Sequence, residues 1–298
     1  MFPSTHLGIS RRTCLFACCA PAFLWGQIPN PPKPTEPPPP QDWVCPMDPD
    51  VRSDKPGVCP RCGMKFVLHV PDRVEYPLEM SQSPERLKPG DSVALTFRVL
   101  DPVTGRPVKR FELVHEKLMH LFVVSQDLQF FEHVHPQLQP DGSFRLSTRL
   151  PNGGMYRLLA DYYPSGAVPQ LTIETLYVSG TCPPAKLVPD LQPSRSKNLA
   201  AALRLDPEQP LAGFETKLFF TLDPAVGLEP YLGAWGHMLA VSEDLIDLLH
   251  LHPFLADGGP SVQFNVLFPR PGLYRIWTQF QRRGVVNTVS FTIPVTSL

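Results

Sequence analysis

Residues 120 to 136 read HLFVVSQDLQFFEHVHP, and residues 237 to 253, which lie 117 positions later, read HMLAVSEDLIDLLHLHP. Each copy has two apolar, β-rich segments around a polar centre, a pattern typical of a β-hairpin. The histidines keep their spacing while neighbours such as Phe122 and Leu239 differ. The stretch therefore predicts that the fold contains the same hairpin twice.

The match between the two halves extends beyond the hairpin. The first half contains SVALTFRVLDP, SFRLSTRLPNGGMYRLLADYY and LTIETLYV, which correspond to ETKLFFTLDP, SVQFNVLFPRPGLYRIWTQF and VNTVSFTI in the second. Each half has about 100 residues and several short alternating strands, which is typical of an immunoglobulin-like sandwich. Tyr156 and Tyr274 each follow a Pro/Gly turn, as in the tyrosine corner of such sandwiches, although plain core packing is the alternative. The prediction is an all-β fold of two tandem Greek-key/immunoglobulin-like β-sandwiches.

The composition agrees with this fold class. The 298 residues include 38 prolines, which suit short strands and turns better than helices. The 27 basic and 28 acidic residues nearly cancel and form no basic block, so nucleic acid is not an expected partner. Beyond the N-terminal signal, no segment approaches the ~20 apolar residues of a transmembrane helix.

The chain divides into five segments. Residues 1 to 26 place Arg11 and Arg12 before a short apolar run and resemble a twin-arginine export signal, so we expect a periplasmic or secreted protein. A lipid anchor at Cys18 is the alternative. Residues 27 to 42 form a proline-rich linker, residues 43 to 70 a cysteine-bearing module, and residues 71 to 180 and 181 to 298 the two sandwich repeats.

The hairpin prediction brings the histidines together. A two-residue turn at Gln126 and Asp127 would place His120 opposite His133, and residues two apart on a strand share a face. Three imidazoles per repeat would then form a copper or zinc site, two separate sites in all, with affinity falling below pH ~6.5. The alternative is a set of core or capping histidines. The predicted metal ligands of the repeats are His120, His133, His135, His237, His250 and His252.

Three residues near these histidines are candidates for extra ligands. Met119 and Met238 adjoin His120 and His237, but adjacent strand residues face opposite ways, so core packing is expected for both methionines. His115 is a weak candidate, because Leu232 falls at its position in the second repeat.

The cysteine-bearing module predicts a second kind of site. It reads WVCPMDPDVRSDKPGVCPRCGMKFVLH and offers thiolates beside thioethers, the soft ligands that favour Cu(I) and also serve Zn(II). The CPRCG turn fixes two sulfurs at chelating distance. The predicted ligands of the module are Cys45, Met47, Cys59, Cys62 and Met64.

The module resembles the heavy-metal-binding domain of copper- and silver-transporting P-type ATPases and of periplasmic metal-efflux adaptors. That pattern runs C-P-M-H-P and then P-G-x-C-P-x-C-G-M, and the resemblance implies heavy-metal handling. Asp48 stands where the family usually has histidine. His69 and Cys182 are the alternatives for a fourth ligand, and a disulfide between the cysteines competes with metal binding.

Together these patterns predict an exported bacterial protein that buffers, sequesters or transfers a heavy metal, with copper expected before zinc. A metal-efflux or metal-transfer protein is the expected partner. The alternatives are a copper- or zinc-dependent enzyme that uses a three-histidine site, and a metal-stabilised interaction scaffold. No nucleophile elbow, phosphate loop or paired-carboxylate motif occurs, so an enzyme is the less favoured reading.

Overall fold

The structure, a computed structural model, describes residues 43 to 61, 63 to 68 and 73 to 298. The predicted export signal and proline-rich linker, together with Cys62 and His69, lie outside these residues. Every regular element in the described part of the chain is a β-strand, which confirms the all-β prediction. Within the same residues, no helix could span a lipid bilayer.

The strands fall into three groups along the chain. The cysteine module holds β1 (Trp43–Val44) and β2 (Arg52–Ser53). Repeat 1 holds β3 (Leu78–Ser83), β4 (Ser92–Val99), β5 (Met119–Ser125), β6 (Phe131–Val134), β7 (Gln137–Leu138), β8 (Ser143–Arg149), β9 (Gly154–Tyr162) and β10 (Gln170–Val178). Repeat 2 holds β11 (Ser194–Arg195), β12 (Ala200–Asp206), β13 (Glu215–Asp223), β14 (Leu228–Glu229), β15 (His237–Ser242), β16 (Leu248–Leu251), β17 (Ser261–Leu267), β18 (Gly272–Arg282) and β19 (Val285–Val295).

Each repeat is a sandwich of two antiparallel sheets. In repeat 1 the strand orders are β3-β4-β8-β7 and β10-β9-β5-β6. In repeat 2 they are β11-β12-β13-β17 and β14-β18-β15-β16, with β19 also paired to β18. Alternate apolar residues of both sheets, such as Phe97 and Val123, fill one core in repeat 1, and Phe220 and Ile276 do so in repeat 2. The predicted tandem sandwiches are confirmed.

The tyrosine corner is present in both repeats. Tyr156 donates a hydrogen bond through its hydroxyl to the carbonyl of Asn152, and Tyr274 does the same to the carbonyl of Arg270, each at 3.0 Å. Both rings are fully buried. The hydroxyls therefore hold the turn that leads into β9 and β18, in addition to filling the core.

Both faces of β5 and of β15 are buried, and this feature positions the site. Leu121 and Val123 point into the core of repeat 1, whereas Phe122 and Val124 join a separate apolar cluster. That cluster also contains Leu239 and Val241 of β15. The two sandwiches therefore pack against each other through these strands, which explains why both strands are apolar without alternation. The histidines that begin the repeated sequence lie on the same faces as Phe122 and Leu239.

Candidate metal centres

The predicted hairpins exist, but their register differs from the prediction by two residues. Phe122 pairs with His133 and Leu121 with Val134, which places His120 across from His135 instead of His133. In repeat 2 Met238 pairs with Leu251, so His237 lies across from His252 instead of His250. Because side chains alternate between faces with a period of two, this shift leaves the three histidines of each hairpin on one face.

The turn explains the shift. The prediction assumed a two-residue turn, but four residues separate Ser125 from Phe130, whose carbonyl accepts a hydrogen bond from the Ser125 amide at 3.2 Å. The Ser125 hydroxyl also accepts the Phe130 amide at 2.9 Å, and Asp127 accepts the Gln129 amide at 3.1 Å. Leu128 adopts a φ of 55°, and Leu245 of repeat 2 a φ of 60°. These side-chain contacts stabilise the longer loop. The tightest two-residue turns favour Asn-Gly, and Gln-Asp does not suit them.

The histidines of the two repeats meet at the contact between the sandwiches. The ring centres of His120 and His237 are 5.7 Å apart, and those of His133 and His237 are 5.5 Å apart. The prediction of two separate sites, one per sandwich, is therefore wrong in its geometry. Two groups of three histidines exist, but they adjoin each other, and the second draws on both repeats.

The first group consists of His120, His133 and His135. The Nε2–H of His120 donates to the carbonyl of Val114 at 2.9 Å, and the Nδ1–H of His133 donates to Oε1 of Gln279 at 2.8 Å. The Gln279 amide nitrogen donates to a threonine, which fixes the orientation of the amide. In the neutral rings, Nδ1 of His120 and Nε2 of His133 are then bare lone pairs, and these two atoms face each other at 2.9 Å.

Facing lone pairs at that distance repel unless a cation lies between them. Two nitrogens that share a metal with bonds of about 2 Å lie roughly 2.9 to 3.4 Å apart. His135 adds a third nitrogen, since its buried Nε2 has no hydrogen-bond partner among the described residues. The first group thus fits a three-histidine metal site with one open position.

The second group consists of His115, His237 and His252. The Nε2–H of His237 donates to the carbonyl of Tyr231 at 2.9 Å, which leaves its bare Nδ1 at 3.1 Å from Nε2 of His252. The ring of His115 stacks on that of His252 with centres 3.7 Å apart, and the buried Nε2 of His115 has no partner in the described part of the chain. His115 belongs to repeat 1, so its role was underestimated from the sequence, where it lacked a counterpart.

His250 lies between the groups. Its Nδ1 is 2.6 Å from Oδ2 of Asp161, a buried carboxylate of repeat 1, and its buried Nε2 has no partner among the described residues. Asp161 pairs with His120 across β5 and β9, as Gln279 pairs with His237 across β15 and β18. Each repeat therefore supplies, from an equivalent position, the group that orients a histidine of the other repeat. Such outer-shell partners fix the tautomer of a metal-binding imidazole.

Burial keeps the six imidazoles of the two groups neutral. Desolvation, followed by the repulsion of neighbouring imidazolium charges, lowers the pKa of His120 to about 4 and the pKa values of His115 and His135 to about 3. The same causes hold the pKa values of His133, His237 and His252 well below their usual value. A neutral imidazole is the form that binds metal, so the cluster is ready to ligate without losing protons. We call the six histidines of the two groups, together with His250, the histidine centre.

The cysteine module holds a third group. The sulfurs of Cys45 and Cys59 lie 3.7 and 3.8 Å from Oδ2 of Asp48, and the Asp48 amide lies 3.2 Å from the Cys45 sulfur. Asp48 thus occupies the ligand position that the resemblance left in doubt. Met64 is buried and Met47 half-buried against the same group.

The alternative fourth ligands have different outcomes. His69 and Cys62 lie outside the described residues. Cys182 lies against Gly154. Burial raises the pKa of the Cys182 thiol, and the neighbouring carboxylate of Asp127 raises it further. That position is at the turn end of β5, whereas the module packs on Val114 before β5 begins. The structure therefore does not bring Cys182 to the cysteine group.

The module lies beside the histidine centre. Cys45, Cys59 and Met64 form one apolar cluster with Val114 and Tyr163 of repeat 1, and Val114 is also the residue whose carbonyl anchors His120. The Arg61 guanidinium, held by Asp48, lies 4.7 Å from the ring centre of Phe254 in repeat 2. Two cavities of about 440 and 400 Å³ open between the module and the repeats, and Met47, His250 and His252 line both.

Two family models match the chain. Residues 43 to 70 match the heavy metal binding domain, which supports metal binding by the module. Residues 72 to 178 and 198 to 297, more than half of the chain, match a domain of unknown function, DUF8832. The chain belongs to the DUF8832 family. The two matched segments of DUF8832 each contain one hairpin with its three histidines, and the first also contains His115.

No curated protein matches the chain. Among solved structures, the DUF8832 chain is similar to the Escherichia coli adhesin FdeC at 15% identity, a TM-score of 0.27 and coverage of 78% of this chain and 68% of that chain. It is also similar to a two-domain fibronectin type III segment of chicken tenascin at 12% identity, a TM-score of 0.23 and coverage of 74% and 99%. TM-scores of this size carry no information on function.

Proposed function

We propose that this protein is an exported copper-binding protein that holds copper ions in its cysteine module and in the histidine centre, and that it buffers, sequesters or transfers them. One observation carries the proposal. In the first histidine group, two imidazole nitrogens whose rings already donate their only proton elsewhere face each other at 2.9 Å. In the second group the bare Nδ1 of His237 lies 3.1 Å from Nε2 of His252. Two facing lone pairs destabilise a buried core, whereas a metal ion between them binds both.

The choice of copper rests on the combined ligand set. Cys45 and Cys59 offer thiolates and Met47 and Met64 thioethers, which favour Cu(I) over harder ions. Imidazoles accept copper, zinc, iron and nickel, and copper lies at the top of the divalent affinity order. Export is supported by Arg11 and Arg12 ahead of the apolar run and agrees with copper chemistry outside the cytoplasm.

Copper titration of the full chain tests the proposal. The three ligand groups predict close to three bound ions per chain under reducing conditions, measured by elemental analysis after removal of loosely bound metal. X-ray absorption should show nitrogen ligands for the ions of the histidine centre. Replacing His133 and His135 with alanine should remove one ion, whereas Met119→Leu, one residue from His120 but facing the core, should remove none. Unchanged nitrogen ligation in the double variant would contradict the proposal.

A second candidate function is metal-dependent catalysis, because the cavities of about 440 and 400 Å³ reach His250 and His252. A three-histidine site with an open position polarises a bound water or substrate when a metal occupies it. The same histidines would hold the metal, and Asp161 and Gln279 would orient the rings of His250 and His133. Oxygen uptake by the copper-loaded chain in the presence of ascorbate, compared with the double histidine variant, separates catalysis from storage.

A further inference from the structure

Met47 lies between the two kinds of metal site. Its side chain packs against the cluster that contains Cys45, Cys59 and Met64, so it contacts the surroundings of the cysteine group. The same residue lines both cavities that His250 and His252 line. A thioether thus lies between the apolar cluster that contains the two cysteines and the cavities that His250 and His252 line.

His250 offers the receiving atom. Its side chain is 1% exposed, its Nδ1 is held by Asp161, and its Nε2 has no partner among the described residues. His252, which lines the same cavities, belongs to the second histidine group through its 3.1 Å contact with His237. An ion that reaches His250 is therefore within the histidine centre.

Asp48 weakens the donor site. It takes the position beside Cys45 and Cys59 where the resembling domains usually have histidine, and it shares its carboxylate with Arg61 at 3.1 Å. A carboxylate already bound to a guanidinium is a hard and poor ligand for Cu(I). Copper at the thiolates is thus less firmly held than it would be with a softer ligand at the position of Asp48.

We propose that Met47 relays Cu(I) from the cysteine module to His250 and the histidine centre within one chain. This inference rests on the proposed function, because it needs copper at both sites. The ion moves by ligand exchange: the Met47 sulfur binds Cu(I) as a thiolate sulfur leaves, and Nε2 of His250 then binds as the thioether leaves. Copper stays Cu(I) throughout, each released thiolate takes one proton from water, the thioether exchanges none, and any proton carried on Nε2 of His250 passes to water when that nitrogen binds the ion.

Transfer kinetics in the full, reduced chain test the relay. One equivalent of Cu(I) is added without oxygen, and the ultraviolet Cu(I)–thiolate charge-transfer band is followed as copper leaves the cysteines. Met47→Leu keeps the volume but removes the sulfur, and should slow the decay of this band about tenfold or more, the effect of about 1.4 kcal/mol on a barrier. The final nitrogen ligation, measured by X-ray absorption, should be unchanged.

The matched control is Met80→Leu, which replaces another partly buried methionine that packs on the core of repeat 1. Its transfer rate should equal that of the unaltered protein. If Met47→Leu transfers copper as fast as the control, the relay is overturned while the two sites stand. If neither the variants nor the unaltered protein show nitrogen-bound copper, the proposed function itself fails.

Discussion

Acid should destabilise the metal-free protein well above the pH at which carboxylates titrate. In the unfolded chain a histidine binds its proton near pH 6.5, whereas the folded protein holds the pKa of His120 at about 4 and that of His115 at about 3. Between these limits the unfolded state binds more protons, so the free energy of unfolding falls as pH falls. Each buried histidine contributes about 1.4 kcal/mol per pH unit below 6.5.

His115 and His120 alone should then remove about 4 kcal/mol from the free energy of unfolding between pH 7.5 and pH 5, a large part of the roughly 5 to 15 kcal/mol typical of a domain. Urea unfolding with a metal chelator, followed by tryptophan fluorescence, measures this loss. His120→Gln should show a smaller loss, by about 2 kcal/mol at pH 5. A free energy that changes by less than about 1 kcal/mol over this range would refute the neutral, buried state of the cluster.

Three further outcomes are expected. Asp161→Asn removes the carboxylate that orients His250 and should weaken metal binding at the histidine centre about 10- to 100-fold, measured by chelator competition, without changing the number of ions bound. Cys59→Ser combined with Cys62→Ser should abolish Cu(I) binding by the module but leave nitrogen-bound copper, as X-ray absorption would show. Replacing Arg11 and Arg12 with lysine should trap the precursor inside the cell, and unchanged export on fractionation would contradict the twin-arginine interpretation.

The structure also changes the expected pH dependence of metal uptake. From the sequence alone, affinity should fall below pH ~6.5, where a free imidazole protonates. Because burial lowers the pKa of His120 to about 4, the folded protein should still bind metal near pH 5. The limit on uptake then becomes the stability of the fold itself.

The fold could be predicted because each repeat carries its own evidence. Strand alternation, the Pro/Gly turns before Tyr156 and Tyr274 and the duplicated hairpin all act over short stretches of sequence. The shared face of His120, His133 and His135 was also predictable, since the two-residue error in register preserves the face. The turn itself was not, because its length depends on hydrogen bonds made by Ser125 and Asp127.

The meeting of the two repeats could not be predicted in the same way. The apolar run from Leu121 to Val124 indicates that both faces of β5 are buried, but it does not say what covers the second face. His115 illustrates the consequence, because its partners His237 and His252 lie more than 100 positions away and Leu232 replaces it in the other repeat. Only the packing of one sandwich on the other shows that it belongs to the site.

This packing links metal binding to the association of the sandwiches. The buried Nε2 atoms of His115, His135 and His250 have no hydrogen-bond partner in the described part of the chain, and each such atom costs about 1 to 3 kcal/mol. The cost arises only when the repeats pack together, because separated repeats would expose these nitrogens to water. At the second group, which draws on both repeats, a metal ion finds all three ligands only in the packed form, so it stabilises the contact in proportion to the logarithm of its concentration. Copper should therefore tighten the contact between the repeats, and chelation should loosen it first at the histidine centre.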